Sequence, residues 1–455
     1  MIARSGMGVL KKWRNSPHCK PLVLLRARQV GKTALGREFG KEFDQYIEIN
    51  FDEHPSKNAY FEGRPLEQTI PLLEVDAGQK FEDGKTLLFF DEVQAAQAVL
   101  PMLRYFYEKR PNLHVIAAGS LLEFLLADHT FSMPVGRIRY CFLEPLTFEE
   151  FLRGLGQEHL VEFVETFALP QTIPDPIHEK LMYFVQLYCL VGGMPEACAR
   201  WLETENFSAI QQVHAEILQT YQDDFSKYRK RIDPELLRTV MGSVPRLIGG
   251  KIRYNQLSRT TTPNHLRMAL QALDAAGVTS QIYHTSGNGV PLGAEVDPKK
   301  FKALFLDVGL LATSLSLRLV DFHTTEDLLL VNRGASAEQY VGQQLLANGP
   351  SWIKPELFYW HREKRGSNAE VDYITHEGQH VIPVEVKAGK TGSLRSLHTF
   401  MASKAYKTAV RFNTDTPSLT EVSTEINQVG QADYRLLSLP LYMTGQLSRL
   451  LEPLV

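Results

Sequence analysis

The chain has 455 residues, with 49 Lys and Arg against 52 Asp and Glu and a formal net charge of -3. That length exceeds one ordinary core and calls for two to four domains, while the balanced charge excludes a globally basic nucleic-acid coat but not a local basic face. No apolar run approaches the roughly 18 residues of a membrane span, the start Met-Ile-Ala-Arg-Ser-Gly-Met-Gly lacks the apolar core of a secretory signal, and Cys19, Cys141, Cys189 and Cys198 are too scattered for a zinc or disulfide framework. The expectation is a cytoplasmic, multidomain globular protein with buried free thiols and no membrane contact.

The apolar run Pro21 to Leu25 reads as a buried strand, and Leu35, Phe39 and Phe43 give the segment from Thr33 helical spacing. Between them, Arg26-Ala27-Arg28-Gln29-Val30-Gly31-Lys32-Thr33 has the form of a phosphate cradle. Backbone N–H groups at a helix start face an anion, Lys32 reaches the β/γ-phosphates of ATP, and Thr33 Oγ ligates Mg²⁺. Arg26 stands where such loops carry their first glycine, the residue best suited to a left-handed turn. Gly-Lys-Thr alone is a weak signal, but Thr86 to Phe90 forms a second apolar strand that delivers Asp91-Glu92 at its carboxyl end. Asp91 is expected to hold Mg²⁺ through water, and Glu92 to orient or deprotonate the attacking water. A third strand, His114 to Ala118, leads to Ser120 at the place of a γ-phosphate sensor. Arg137 either completes a neighbouring subunit's site or is a plain surface cation.

These segments, Lys20 to Thr33, Phe90 to Gln94, Ala118 to Leu122 and Pro145 to Phe151, resemble the AAA-type ATPases joined to a C-terminal domain called DUF4143. The resemblance implies ATP and Mg²⁺ as ligands and allows a ring or other homo-oligomer. The family usually has Arg-Gly where this chain has Leu25-Arg26, a departure that falls on the phosphate loop.

From Phe148 to Tyr228 helical spacing dominates, broken at Pro170 to Pro176 and at Val191-Gly-Gly-Met-Pro195, which is either a hinge or an ordinary interhelical turn. Residues 227–259 then concentrate Lys227, Arg229, Lys230, Arg231, Arg238, Arg246, Lys251, Arg253 and Arg259 against only Asp233 and Glu235. A helix over 234–248, a short one near 254–259, a helix from Asn264 to Ala275, and a strand Val278 to His284 with a Gly-rich turn predict a winged helix-turn-helix. Its Thr260, Thr261, Thr262, Asn264, His265 and Arg267 would sit at the start of a recognition helix. DNA or RNA contact through residues 227–267 and a protein-protein role are both open.

In the last third, a helix beginning near Ala335 carries Glu338; Glu370 to Thr375 and His380 to Lys387 form a hairpin bearing Asp372, Glu385 and Lys387. An acid, a turn and Glu-x-Lys is the arrangement of PD-(D/E)xK nucleases, where two carboxylates, here Asp372 and Glu385, hold Mg²⁺ and the lysine assists hydroxide. A surface ion-pair ladder gives the same pattern. The segments Gly287 to Glu295, Phe305 to Leu310 and Pro383 to Lys387 are similar to recurrent blocks of the DUF4143 group, which implies a restriction-endonuclease-like fold. The closing elements are a strand near Tyr434 to Leu439 and a helix from about Thr444 to Leu451.

The expected α/β multidomain architecture is therefore a P-loop NTPase parallel sheet over residues 1–150, a helical lid over 151–230, a winged helix-turn-helix over 231–295 and a nuclease-like α/β domain over 296–455. Two functions are compatible with it. One is an Mg²⁺-dependent ATPase coupled to a nucleic-acid-binding, nuclease-like C-terminal region. The other is a nucleotide-controlled binding switch with little hydrolysis, whose inert nuclease-like domain docks DNA or a protein.

Overall fold

The computed structural model describes residues 2–17, 19–119, 136–229, 232–317, 333–364, 367–389 and 392–455. Its first part runs α1 (Gly6–Arg14), β1 (Leu22–Leu25), α2 (Lys32–Gly40), β2 (Gln45–Asn50), α3 (Leu66–Ala77), β3 (Thr86–Asp91), α4 (Val99–Lys109), β4 (His114–Ala118) and β5 (Arg139–Phe142). The strands pair in parallel in the order β2-β3-β4-β1-β5. Every residue of β1, β3 and β4 is buried, so these strands read as unbroken apolar runs rather than alternating ones. One face, with Leu22, Leu24, Phe89 and Ile116, packs on Phe39 of α2; the other, with Val23, Leu88, Phe90 and Val115, packs on Leu73 of α3 and Phe106 of α4.

The expected helical stretch is five helices, α5 (Phe148–Gly154), α6 (Glu158–Thr166), α7 (Asp175–Val191), α8 (Pro195–Thr204) and α9 (Phe207–Asp224). Pro145 to Phe151 owes its pattern to a capping box: Thr147 Oγ1 accepts from the Glu150 N–H at 3.2 Å, and Glu150 Oε2 accepts from the Thr147 N–H at 3.0 Å. The next segment is α10 (Pro234–Ser243), α11 (Tyr254–Leu257), α12 (Pro263–Ala275), β6 (Thr279–Thr285) and β7 (Val296–Phe305). The helix expected over 234–248 ends at Ser243 and continues only as a 3₁₀ turn, because Pro245 has no N–H to donate.

The β6–β7 hairpin is not a free wing. It is one end of a second sheet, completed by α13 (Val308–Ser314), α14 (Arg333–Ala347), β8 (Phe358–Lys364), β9 (Ser367–Glu377), β10 (His380–Val386), α15 (Arg395–Lys404), β11 (Thr408–Asn413), β12 (Ser418–Ile426), β13 (Gly430–Pro440) and α16 (Leu447–Leu451). Among the described residues its order is β12-β13-β11-β10-β9-β8-β6-β7, with parallel pairs at β10–β11, β11–β13 and β6–β8 and antiparallel pairs elsewhere. Helix α15 covers one face through Leu397 and Phe400, and α14 covers the other through Tyr340 and Val341. Among the described residues no helix is long and apolar enough to cross a membrane, and the four cysteines are free thiols.

The break at Gly192-Gly193 separates α7 from α8, and it is fastened rather than loose. Buried Asp307 caps α13 by accepting from the N–H groups of Gly309 and Leu310 at 2.9 and 3.1 Å, and it also accepts from the Gly193 N–H at 2.6 Å and from Gln343 Nε2 of α14 at 3.0 Å. Gly192 has φ 75° and ψ -172°, a region open essentially to glycine, and a Cβ there would lie 2.0 Å from Asp307 Oδ1. Gly192→Ala is therefore expected to destabilise the folded chain by about 2–4 kcal/mol, through backbone strain plus displacement of a buried carboxylate. A melting temperature equal to that of the unmutated protein would show that the contact carries no such weight.

Candidate functional site

Strand β1 delivers the phosphate loop to the carboxyl edge of the first sheet, and α2 begins directly after Gly31. The backbone takes φ 109° at Arg26, 61° at Gln29 and 93° at Gly31. Arg26 thus adopts the conformation of the glycine it replaces, at a cost of about 1–3 kcal/mol. Its side chain offsets this by turning away from the cradle. The buried guanidinium pairs through Nε with Glu144 Oε1, and Nη2 donates to Ser280 Oγ of β6 at 3.1 Å.

Lys32 Nζ donates to the carbonyl oxygens of Arg26 and Ala27 at 2.9 and 2.6 Å, so the ammonium lies folded against the loop it serves. Thr33 Oγ1 donates to Asp91 Oδ2 at 2.7 Å, bringing together the two side chains expected to share Mg²⁺. Burial raises the Asp91 carboxyl above its usual range, opposed by the Thr33 hydrogen bond and reinforced by the neighbouring charge of Glu92. Glu92 follows with φ 51°, and its carboxylate accepts from Gln94 Nε2. A hydroxyl and a carboxylate in contact beside a lysine at a helix start fit an Mg²⁺-nucleotide: both are oxygen donors, and Mg²⁺ prefers one or two carboxylates plus substrate phosphates. Strand β4 lies between β1 and β3, so its end points into this site; Ser120 itself lies outside the described residues. Arg137 is exposed and pairs with Glu108 of α4 at 3.0 Å.

Distant elements grip the loop. Tyr221 Oη of α9 donates to the Arg28 carbonyl at 2.7 Å, and Arg28 Nη1 meets Asp224 at 2.5 Å. Arg4 donates to the Val30 carbonyl at 3.1 Å and to the Glu144 carbonyl at 2.6 Å. Gly277, at the end of α12, comes so close that a Cβ would be 2.8 Å from the Ala27 nitrogen. Beside Gly31 opens a cavity of about 560 Å³, lined by Ile2, Met7, Leu35, Leu146, Pro195 and Ala199 among others. Its size and mixed apolar walls suit a nucleoside. The residues that grip the loop, Arg4, Tyr221, Asp224 and Gly277, were not legible as a site in the sequence, since the loop residues they meet lie far along the chain.

The second sheet brings the expected acids together. Glu338 of α14, Asp372 of β9, Glu385 of β10 and Lys387 converge, joined by two residues the motif did not mark, Lys302 of β7 and Glu370 of β9. Buried Lys302 places Nζ 2.6 Å from Glu370 Oε1, 3.1 Å from Glu338 Oε2 and 3.7 Å from Asp372 Oδ1. Lys387 Nζ donates to Glu385 Oε1 at 2.6 Å, and Asp372 Oδ2 accepts from the Val386 N–H at 2.8 Å. Burial, then the charge of Asp372, pushes Glu338 up to about 8 and Glu385 likewise to about 8; burial also raises Asp372. Burial alone would lower Lys302, but Glu338, Asp372 and Glu370 together hold it well above its usual range. A visible signal existed: Lys302 interrupts the apolar run Phe301-Lys-Ala-Leu-Phe305 on a buried strand.

The basic segment abuts this cluster. Lys251 donates to Glu363 of β8 at 2.6 Å, and a Cβ on Gly249 would be 3.4 Å from Glu338 Oε1. Arg246, Arg253, Arg259 and Arg267 are exposed, as are Thr260, Thr262, Asn264 and His265 at the start of α12. Lys230 and Arg231 lie outside the described residues.

A family model for the AAA domain matches residues 18–152, one for the domain of unknown function DUF8612 matches residues 184–320, and one for DUF4143 matches residues 333–434. No curated protein matches the chain. Among solved structures, the Walker-type ATPase of Pyrococcus abyssi is 17% identical, with a TM-score of 0.43 over 69% of this chain and 96% of that one. The ORC2 protein of Aeropyrum pernix, in ADPNP-ADP complexes, is 11% identical, with a TM-score of 0.34 over 69% and 92%. The phosphate loop on β1, the acid pair on β3 and the two terminal matches agree: this chain carries an AAA-type ATPase-like domain over residues 18–152, joined to a C-terminal DUF4143 domain over residues 333–434.

Proposed function

We propose that the chain binds ATP with Mg²⁺ at the phosphate loop, hydrolyses it, and passes the nucleotide state to a nucleic-acid-binding C-terminal region. The observation that carries this reading is the Thr33 Oγ1 to Asp91 Oδ2 hydrogen bond of 2.7 Å, made beside Lys32 on the helix that starts at Gly31. Lys32 exchanges the carbonyls of Arg26 and Ala27 for phosphate oxygens when nucleotide enters. Thr33 and Asp91 would hold Mg²⁺, which would supply neutralisation of phosphate charge; Glu92 positions the attacking water. The nucleoside occupies the cavity beside Gly31, touching Pro195 and Ala199 of α8.

Coupling follows from the grip on the loop. Movement of the loop backbone is felt at Ser280 through Arg26 and at α9 through Arg28 and Tyr221. Helices α10 to α12 with the β6–β7 hairpin act as a winged helix-turn-helix, presenting Arg253, Arg259 and Arg267 to a phosphate backbone. A second reading, favoured by the position of Lys302 among the acids, is a binding switch whose nuclease-like domain docks without cutting.

Lys32→Ala is expected to weaken ATP binding at least tenfold, measured by fluorescent-nucleotide titration, and Glu92→Gln to keep binding while lowering hydrolysis about 100-fold. Equal ATP affinity in Lys32→Ala would remove the phosphate loop from the account. The double variant Arg253→Ala, Arg259→Ala is expected to lower affinity for duplex DNA and to reduce the slope of log K against log salt by roughly 0.9 per lost phosphate contact. Unchanged affinity and slope would move nucleic acid off this face.

A further inference from the structure

We propose that Lys302 is a resident cation standing in the place of a divalent ion in the DUF4143 cluster, so that this site is neutralised from within and takes no metal. The inference rests on the second reading above, in which the C-terminal domain binds without cutting. It starts from a misfit. The sequence pattern assigns Asp372 and Glu385 to Mg²⁺, yet three of their four carboxylate oxygens are engaged. Asp372 Oδ2 is held by the Val386 N–H and Oδ1 faces Lys302 at 3.7 Å; Glu338 Oε2 is 3.1 Å from Lys302, and Glu385 Oε1 is 2.6 Å from Lys387.

The remaining oxygen, Glu385 Oε2, is buried and has no hydrogen-bond partner among the described residues, on a residue only 4% exposed. It marks the cluster as built to face positive charge, which Lys302 and Lys387 supply. Lys302 is not there by chance of rotamer. Its strand neighbours Phe301 and Ala303 are buried, its stem is enclosed, and its ammonium lies 5.6 Å from the Tyr359 ring centre, within cation–π reach. An ammonium at hydrogen-bond distance from Glu370 and Glu338, with Asp372 Oδ1 at 3.7 Å, occupies the place a second cation would need. Accordingly, no group of three or more His, Cys, Asp or Glu among the described residues is arranged to hold a metal.

The test is Mn²⁺ binding by electron paramagnetic resonance on the nucleotide-free full chain carrying Asp91→Asn, which silences the phosphate-loop pair. With Lys302 intact, the titration is expected to be unchanged by adding Asp372→Asn. Lys302→Met is expected to gain one Mn²⁺ site at least tenfold tighter than any in its parent, lost again on adding Asp372→Asn, while Lys302→Arg gains none. A Mn²⁺ site in the Lys302-intact protein that Asp372→Asn removes would overturn the proposal, and that arm does not depend on the Lys302 variants folding. So would a Lys302→Met protein with the parent's circular dichroism and melting curve but no new site. Nucleic-acid binding measured on the same parent separates the two ideas: its loss would sink the docking reading and leave the cation result standing.

Discussion

The Asp307 carboxylate is the joint on which the two halves of this chain meet. A buried carboxylate costs several kcal/mol unless its oxygens are hydrogen-bonded, and Asp307 meets that demand with donors from three elements. Two are its own helix amides, one is the Gly193 N–H between α7 and α8, and one is Gln343 of α14. Gln343 also donates to Tyr188 Oη at 3.0 Å, and its neighbour Gln344 accepts from the Phe148 N–H at 2.9 Å. Helix α14 thereby satisfies backbone and side chains of α5 and α7 with glutamine amides, while Glu338, earlier on the same helix, faces Lys302. One helix touches both the α5–α7 stretch and the acid cluster. A register slip in α14 would leave several buried donors and acceptors unmatched at once, which fixes its position more firmly than apolar packing alone.

The phosphate loop is held by the same logic from the other side. Glycine at its first position would leave the turn unstrained and unattached. Arginine strains the backbone and, in exchange, plants a buried ion pair on Glu144 and a hydrogen bond on Ser280. The phosphate loop is thus tied to β6, the first strand of the second sheet in chain order. Removing either member of the Arg26–Glu144 pair leaves an unmatched buried charge, a loss of about 3–5 kcal/mol for a pair so enclosed. The departure from the usual loop reads as a connection gained.

How far this was legible in the sequence follows from the range of each interaction. Gly31-Lys32-Thr33 and Asp91-Glu92 stood out because strand, turn and helix signals lie within a few residues of each motif, and Glu385-x-Lys387 because a two-residue period puts both on one face. The helices from Phe148 to Asp224 followed from spacing. Strands β2 and β5 were missed: Gln45 to Asn50 is only partly buried, and Arg139 to Phe142 is too short and half exposed. Arg26 and Glu144 are 118 residues apart and Arg26 and Ser280 are 254 apart, so no window contains such a pair. The hairpin after three helices was legible, but not its place in a larger sheet, because a hairpin looks the same in sequence whether or not another strand joins it; here β8 pairs along β6 through Tyr283 and His284.

The acid cluster shows why a motif names residue types and leaves the chemistry undecided. A divalent ion within about 4 Å of an ammonium meets a repulsion of roughly 8 kcal/mol at an effective dielectric of about 20, which the carboxylates would have to overcome in addition to giving up Lys302. With Lys302 in place each carboxylate already has a cation or an N–H against one oxygen. Glu338, Asp372, Glu385 and Lys387 converge as the pattern requires, but Lys302 on β7, invisible to that pattern, is the cation that Glu338 and Asp372 face. If the ammonium is the cation, the cluster's contribution is to pin β7 and β9 to α14, directly beneath the Gly249 loop that leads into the basic face.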